Sequence, residues 1–112
     1  MSKFSNPPDV TEKIRLLGER IRIARIRRGW TALDLATKAG INRNTLAALE
    51  HGKPGTALGT CFTVLWVLGL ESSIVAIADP DADLHGKALE EAQRPSRVGR
   101  PRAAKVGDDY DF

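Results

Sequence analysis

Between Ala32 and Glu50 the chain carries two short helical patterns separated by four residues, Lys38-Ala39-Gly40-Ile41, too few for anything but a tight turn. Thr31 is placed to cap a helix over 32–38 whose Leu33, Leu35 and Ala36 can face inward. Gly40 ends it, because glycine takes the left-handed conformation that a tight helix exit demands. Asn42 caps the next helix, from Arg43 to Glu50, with Leu46 and Leu49 on its inner face. Ala36, four residues before the glycine, is small where the two helices must approach, and Ile41 and Leu46 fill the space between them. This turn allows only helices that cross at close range, so the expected fold class is all-α.

The flanks extend that expectation to four helices. Ile14, Leu17, Ile21 and Ala24 recur at three- and four-residue spacing, predicting a first helix over 12–28 with Thr11 as its cap and Gly29 as its stop. Its polar face holds Lys13, Arg15, Arg20, Arg22, Arg25, Arg27 and Arg28 against Glu12 and Glu19 only, too one-sided for internal ion pairing. Residues 51–55 are loop breakers. A fourth helix over 58–68 puts Leu58, Cys61, Phe62, Leu65 and Trp66 on one side, and Val64, Val67 and Leu68 add apolar surface beyond that face. Either a fifth helix or a second subunit must cover the surplus. Residues 72–78 are compatible with a short helix and with a strand, since Ile74, Val75 and Ile77 favour the strand while length and context favour the helix. The chain therefore divides into an arm over 1–11, a domain over 12–79, a connector with a weak helix over 80–93, and a tail over 94–112. That tail is basic, then acidic and aromatic, and too poor in bulky apolar residues to pack.

One domain with appendages is what 112 residues allow. The single cysteine, Cys61, excludes a disulfide framework and suits a reducing cytoplasm. It lies in an apolar pattern and reads as core. His51 and His85 lack partners at ligand spacing, and no nucleophile–base pair or glycine-rich phosphate loop is present, so neither a metal, a cofactor nor an enzyme activity is expected. The longest uncharged stretch, 54–70, is too short and too glycine-rich to span a membrane, and residues 1–10 hold no apolar run of the secretory kind. The formal net charge of +3 hides an asymmetry. Residues 1–53 hold eleven basic against five acidic residues, and residues 54–112 hold six against nine.

The basic half contains the chemistry. Short helix, glycine turn and a second helix opening Asn42-Arg43-Asn44-Thr45 have the spacing of a helix-turn-helix, whose second helix enters the DNA major groove. Arg43 can bond guanine O6 and N7, and Asn44 can bond adenine N6 and N7. Ala48 is small enough to touch a thymine methyl. Asn42, Thr45 and Lys53 are candidates for the phosphate backbone, joined by Arg22, Arg25, Arg28 and Thr31. Taken singly, Asn42 is only a cap and Arg43 only a solvated charge; the combination points to DNA. Gly99-Arg100-Pro101 is the centre of the minor-groove AT-hook motif, with Val98 where that motif has arginine. A basic arm of Arg97, Arg100 and Arg102 in a narrow minor groove and a merely solubilising linker both fit this weak match.

Residues 17–60, with LATKAGINRNTL at their centre, resemble the Xre-type (lambda repressor-like) five-helix DNA-binding family, a likeness that extends over about 12–79. Residues 56–98 resemble the HipB-like antitoxins, partners of HipA-type serine/threonine kinase toxins. The resemblance implies a homodimer on an operator of two half-sites, repressing its own operon and holding the toxin inactive. It places Arg43, Asn44 and Ala48 on bases and Asn42, Thr45 and Lys53 on the backbone. It also aligns 72–78 with a segment that forms a dimer-pairing strand in some HipB-like proteins. Phe62, Trp66, Val67, Ile74 and Ile77 are then the expected dimer interface. The chain departs from the family at Ala32, where a glutamine commonly reaches the backbone. The alternative function is an Xre-type repressor with no toxin partner, such as a phage repressor or a restriction–modification controller.

Overall fold

Pro8 opens the first helix. In the computed structural model, which describes residues 5–94, α1 runs Pro8–Arg27, four residues ahead of the expected start at 12. The Thr11 cap is corrected with it: the N–H groups of Val10 and Thr11 both donate to the Pro7 carbonyl, each at 3.0 Å. Proline is at ease at the first helical position because it has no N–H to leave unpaired, and Asp9 in the first turn complements the helix dipole. Part of the expected arm is thus helix. The helices that follow are α2 (Ala32–Ala39), α3 (Arg43–Glu50), α4 (Leu58–Val67) and α5 (Glu71–Val75). The chain divides into two compact units, Met1–Ile77 and Ala78–Phe112.

The first unit has an aliphatic core. Ile21, Leu35, Leu46, Val64 and Leu68 are its largest fully buried side chains, with Cys61 among the buried residues as expected. α1 contributes Gly18, Ile21 and Ala24; its apolar face continues outward through Leu17 and Val10, which are exposed. Gly18 marks the closest crossing, since a Cβ there would stand 2.5 Å from the Leu49 carbonyl oxygen and 2.7 Å from that of Glu50. In the helix interior an alanine is ordinarily favoured over glycine by up to about 1 kcal/mol, but here it would drive α1 into the backbone of α3. Gly18→Ala is therefore expected to destabilise, a reversal of the usual sign that a urea melt of the single variant would measure.

α4 is rotated from its expected orientation. Cys61, Val64 and Leu65 are buried, with Leu68 after them, whereas Leu58 and Trp66, expected on the same side as Cys61 and Leu65, are 68% and 63% exposed. The helix is apolar nearly all round, so periodicity left its phase undecided, and packing onto α2 settled it. Gly69, at φ +80°, turns the chain so that the Leu70 N–H reaches the Leu65 carbonyl at 2.8 Å, and α5 then folds back on α4. The strand considered for 72–78 does not form. The N–H groups of Ala76 and Ile77 bond locally to Ser72 and Ile74, while Ile74 packs against the core. Local bonds satisfy this backbone without a neighbouring strand edge. Among the described residues there are only helices and turns.

The second unit is small. Asp79 accepts from the Asp81 N–H at 2.9 Å and caps a 3-10 turn at Pro80–Ala82. Asp83 then caps α6 (Leu84–Gln93) by accepting from the Gly86 N–H at 2.8 Å, close to the weak helix expected over 84–92. None of its described residues is buried. Among the described residues no helix is long and apolar enough to cross a membrane.

Candidate nucleic-acid interface

Two caps and one turn aim α3 outward. Thr31 and Asp34 form a reciprocal capping box: the Thr31 hydroxyl accepts from the Asp34 N–H at 3.0 Å, and the Asp34 carboxylate accepts from the Thr31 N–H at 2.8 Å. The hydrogen bonds from the Thr31 backbone and side chain, then the charge of Lys38, hold the Asp34 carboxyl below the usual carboxylate range. A carboxyl with a lowered folded pKa adds stability that is complete above its unfolded pKa and is lost as pH falls through the folded one. Asp34→Asn is therefore expected to flatten part of the acid limb in thermal melts taken between about pH 2 and 6, without moving the plateau at neutral pH relative to its own cap loss.

At the other end of α2, Gly40 sits at φ +69°, and the Ile41 N–H closes onto the Ala36 carbonyl at 2.9 Å. The chain leaves α2 and enters α3 two residues later. Asn42 caps α3 with its side-chain oxygen, which accepts from the Asn44 N–H at 2.6 Å. Lys38 stands 4.8 Å from the centre of the half-buried Trp30 ring, tying the turn to the segment before α2.

α3 buries Leu46 and Leu49 and shows its opposite side to solvent. Arg43, Asn44 and Ala47 are exposed, while Thr45 and Ala48 are half-buried. Ala47, not among the expected base contacts, lies one helical turn from Arg43 on the outer face and is better displayed than Ala48; its three-residue step from Asn44 is the sequence mark of that position. His51 continues that side and places Nδ1 2.7 Å from the Ala47 carbonyl. Lys53 is exposed, and its N–H donates to the Ala48 carbonyl at 2.9 Å, so its loop is pinned to the end of α3.

The arginines separate. Arg25, expected on phosphate, faces inward instead: its Nε and one terminal nitrogen donate to the two Glu50 oxygens at 2.8 and 3.0 Å, and the other donates to the Trp30 carbonyl at 3.1 Å. The two side chains are only 12% and 7% exposed. The hydrogen bonding to the Glu50 carboxylate raises the guanidinium pKa further, against the opposing effect of burial. Arg25 is thus a clamp between α1 and α3, with all three nitrogens of its fork engaged within the protein. Arg28 is exposed and donates to the Ala24 carbonyl at 2.8 Å. Arg22 is exposed one turn beyond Gly18, on the edge of α1 that meets α3. Of the expected dimer residues, Trp66 and Ile77 are exposed, whereas Phe62, Val67 and Ile74 are partly buried against the core of their own unit. Arg97, Arg100 and Arg102 lie outside the described residues.

A helix-turn-helix family model matches residues 21–73, the stretch that contains this whole arrangement from the core of α1 to the start of α5. Uncharacterised HTH-type transcriptional regulators of Mycobacterium tuberculosis and Mycobacterium bovis are each 33% identical to the chain over 98 residues, which is 84% of this chain and 38% of theirs. Antitoxin HipB of Escherichia coli is 33% identical over 58 residues, 52% of this chain and 62% of HipB. The chain thus spans well under half the length of its mycobacterial relatives. No solved structure matches it. The matched stretch leaves outside it the first thirteen residues of α1, residues 74–77 and the second unit.

Proposed function

We propose that the chain is a sequence-specific DNA-binding transcriptional regulator of the cytoplasm, with α3 as the helix that reads the major groove. The observation that carries this is the start of α3: Arg43 and Asn44 are exposed beside Ala47, on a helix fixed by the Asn42 cap and the Gly40 turn. A guanidinium and a carboxamide side by side are donors and acceptors suited to guanine and adenine edges, and small alanines behind them let the helix approach closely. Asn42, Thr45, Lys53, Arg22, Arg28 and Thr31 serve the phosphates, and Ala48 lies at the edge of the base-facing side. Two copies would set their reading helices about 34 Å apart, one DNA turn. Exposed Trp66 and Ile77, with Phe62, Val67 and Ile74 behind them, are the surface for that pairing.

Operator titrations test the assignment. Arg43→Ala and Asn44→Ala should each lose about 1–3 kcal/mol of discrimination between the operator and a mutated site while keeping most of their non-specific affinity. Unchanged discrimination in both variants would exclude α3 as the reader. Lys53→Ala should weaken all sequences alike and make the salt dependence shallower.

The finer proposal is an antitoxin that represses its own operon and neutralises a HipA-type kinase toxin, supported by the likeness to antitoxin HipB. A transcriptional regulator with no toxin is the second proposal, favoured by the mycobacterial regulators, whose likeness covers 84% of this chain against 52% for HipB. Co-purification of the chain with the product of the neighbouring reading frame separates the two: a kinase retained at stoichiometric level supports the antitoxin.

A further inference from the structure

The outer face of α1 carries a second apolar line that the core does not use. Leu16, Ile23 and Ile26 are 40%, 38% and 50% exposed, on the side of the helix opposite buried Ile21 and Ala24. With Glu19 they fall at successive steps of three, four and three residues, the spacing of a coiled-coil seam. Positions 15 and 22 flank this seam on one side and positions 20 and 27 on the other, and all four are exposed arginines. Arg15 also pairs with Glu12 on the same exposed surface. DNA reading by α3 gives no use to Leu16, Ile23 or Ile26.

We infer that this seam docks an amphipathic helix of a protein partner, one with aliphatic residues along its own seam and Glu or Asp on both flanks. Charge decides the occupant. A second copy of α1 would set arginine against arginine along both edges, and that repulsion disfavours self-pairing. Phosphate needs the arginines but leaves the three aliphatic side chains in water. A bilayer surface favours a broad apolar face with aromatic anchors, whereas this line is one side chain wide and has no aromatic residue. An acidic helix satisfies both features at once, with each flanking carboxylate meeting an arginine as its aliphatic side chains cover Leu16, Ile23 and Ile26. Glu19, central in the seam, selects a basic residue opposite it and so fixes register. The seam from Leu16 to Ile26 is about 15 Å long, which an added flanking turn at each end extends to a partner of two heptads. Arg22, on the edge of α1 that meets α3, is also assigned to phosphate, whereas Arg20 and Arg27 on the far flank have no part in DNA reading.

A labelled two-heptad peptide with Leu along its seam, one central Lys facing Glu19 and Glu at the flanks is the probe, titrated by fluorescence anisotropy against the full chain. A twin with Lys at the flanks is the control. The acidic peptide should bind saturably and shift amide resonances of α1 around Leu16, Ile23 and Ile26, while the basic twin should fail. The double variant Ile23→Ser with Ile26→Ser alters only exposed positions; it should keep the wild-type circular dichroism spectrum and lose on the order of tenfold in affinity. Arg20→Ala with Arg27→Ala should lose a comparable factor and weaken the salt dependence. Undiminished binding by the double-serine variant would reduce the interaction to charge alone and overturn the inference. Random-sequence duplex DNA or phosphatidylglycerol vesicles shifting the same α1 amides at lower concentration than the peptide would overturn it too, assigning the face to phosphate or to lipid.

Discussion

Gly52→Ala should be among the most destabilising single-methyl additions available to this domain. Gly52 is buried, its φ is +75°, and a Cβ there would stand 2.6 Å from the Arg15 Cα and 3.2 Å from the Arg15 Cβ. Two costs combine. The left-handed backbone conformation alone costs an L-residue about 1–2 kcal/mol relative to glycine. The contact adds an overpacking cost of roughly 1–3 kcal/mol, because the atom in the way is main chain of α1 and no rotamer change relieves it. The expected total is about 3 kcal/mol or more, a large part of the stability of a small domain. Gly40→Ala is the internal control. Gly40 has nearly the same φ, +69°, but nothing lies within 4 Å of its Cβ position, so it should lose only the conformational part, about 1–2 kcal/mol. Equal losses at Gly40 and Gly52 in urea denaturation would show that the α1 contact costs nothing.

The contrast between these two glycines also marks what the sequence could reveal. Gly40 was legible because its role is local: it ends one helix pattern four residues from Ala36 and two before the next cap, and the bounds of α3 follow as expected. Thr31 and Asn42 were legible for the same reason, since a cap bonds to N–H groups two or three residues on. Gly18 and Gly52 act across space, and their meaning depends on which turn of α1 meets the end of α3. The phase of α4 was hidden for a different reason. Seven of its ten residues are apolar or cysteine, so either face satisfies the pattern, and only the shape left by Leu35, Ala36 and Leu46 decides that Val64 goes in and Trp66 out. The candidate site follows this division: Arg43, Asn44 and their cap were visible, whereas the fate of each arginine on α1 was not. Seven basic residues on one helix look alike in composition. Yet Arg25 stands seven residues after Gly18 and four after Ile21, the phase of the buried stripe, which is the mark that separates it from Arg20 or Arg27.

Glu50→Ala should cost about 3–5 kcal/mol, because it leaves the Arg25 guanidinium charged, desolvated and without its carboxylate. The geometry supports the upper part of that range: both oxygens of Glu50 are engaged by the fork at 2.8 and 3.0 Å, and both side chains are nearly covered. Arg25 cannot escape by losing its proton, since a guanidinium stays protonated in proteins even without its partner. Glu50→Gln keeps the shape but not the charge, and should fall between wild type and Glu50→Ala. The pair need not be a net gain, however. Taking two charges out of water consumes most of their attraction, so Arg25→Met combined with Glu50→Leu should recover most of the loss seen in either single variant, and the double-mutant cycle should show strong coupling. The same double variant separates the two roles considered for Arg25. A clamp contributes nothing to counterion release, so the refolded double variant should keep the salt dependence of DNA binding. A phosphate contact would instead make it shallower by about one unit of slope. What the ion pair provides beyond an apolar pair is orientation. Its fork fixes the last residue of α3 against α1 and the Trp30 carbonyl, and therefore sets the tilt at which Arg43 and Asn44 leave the domain surface.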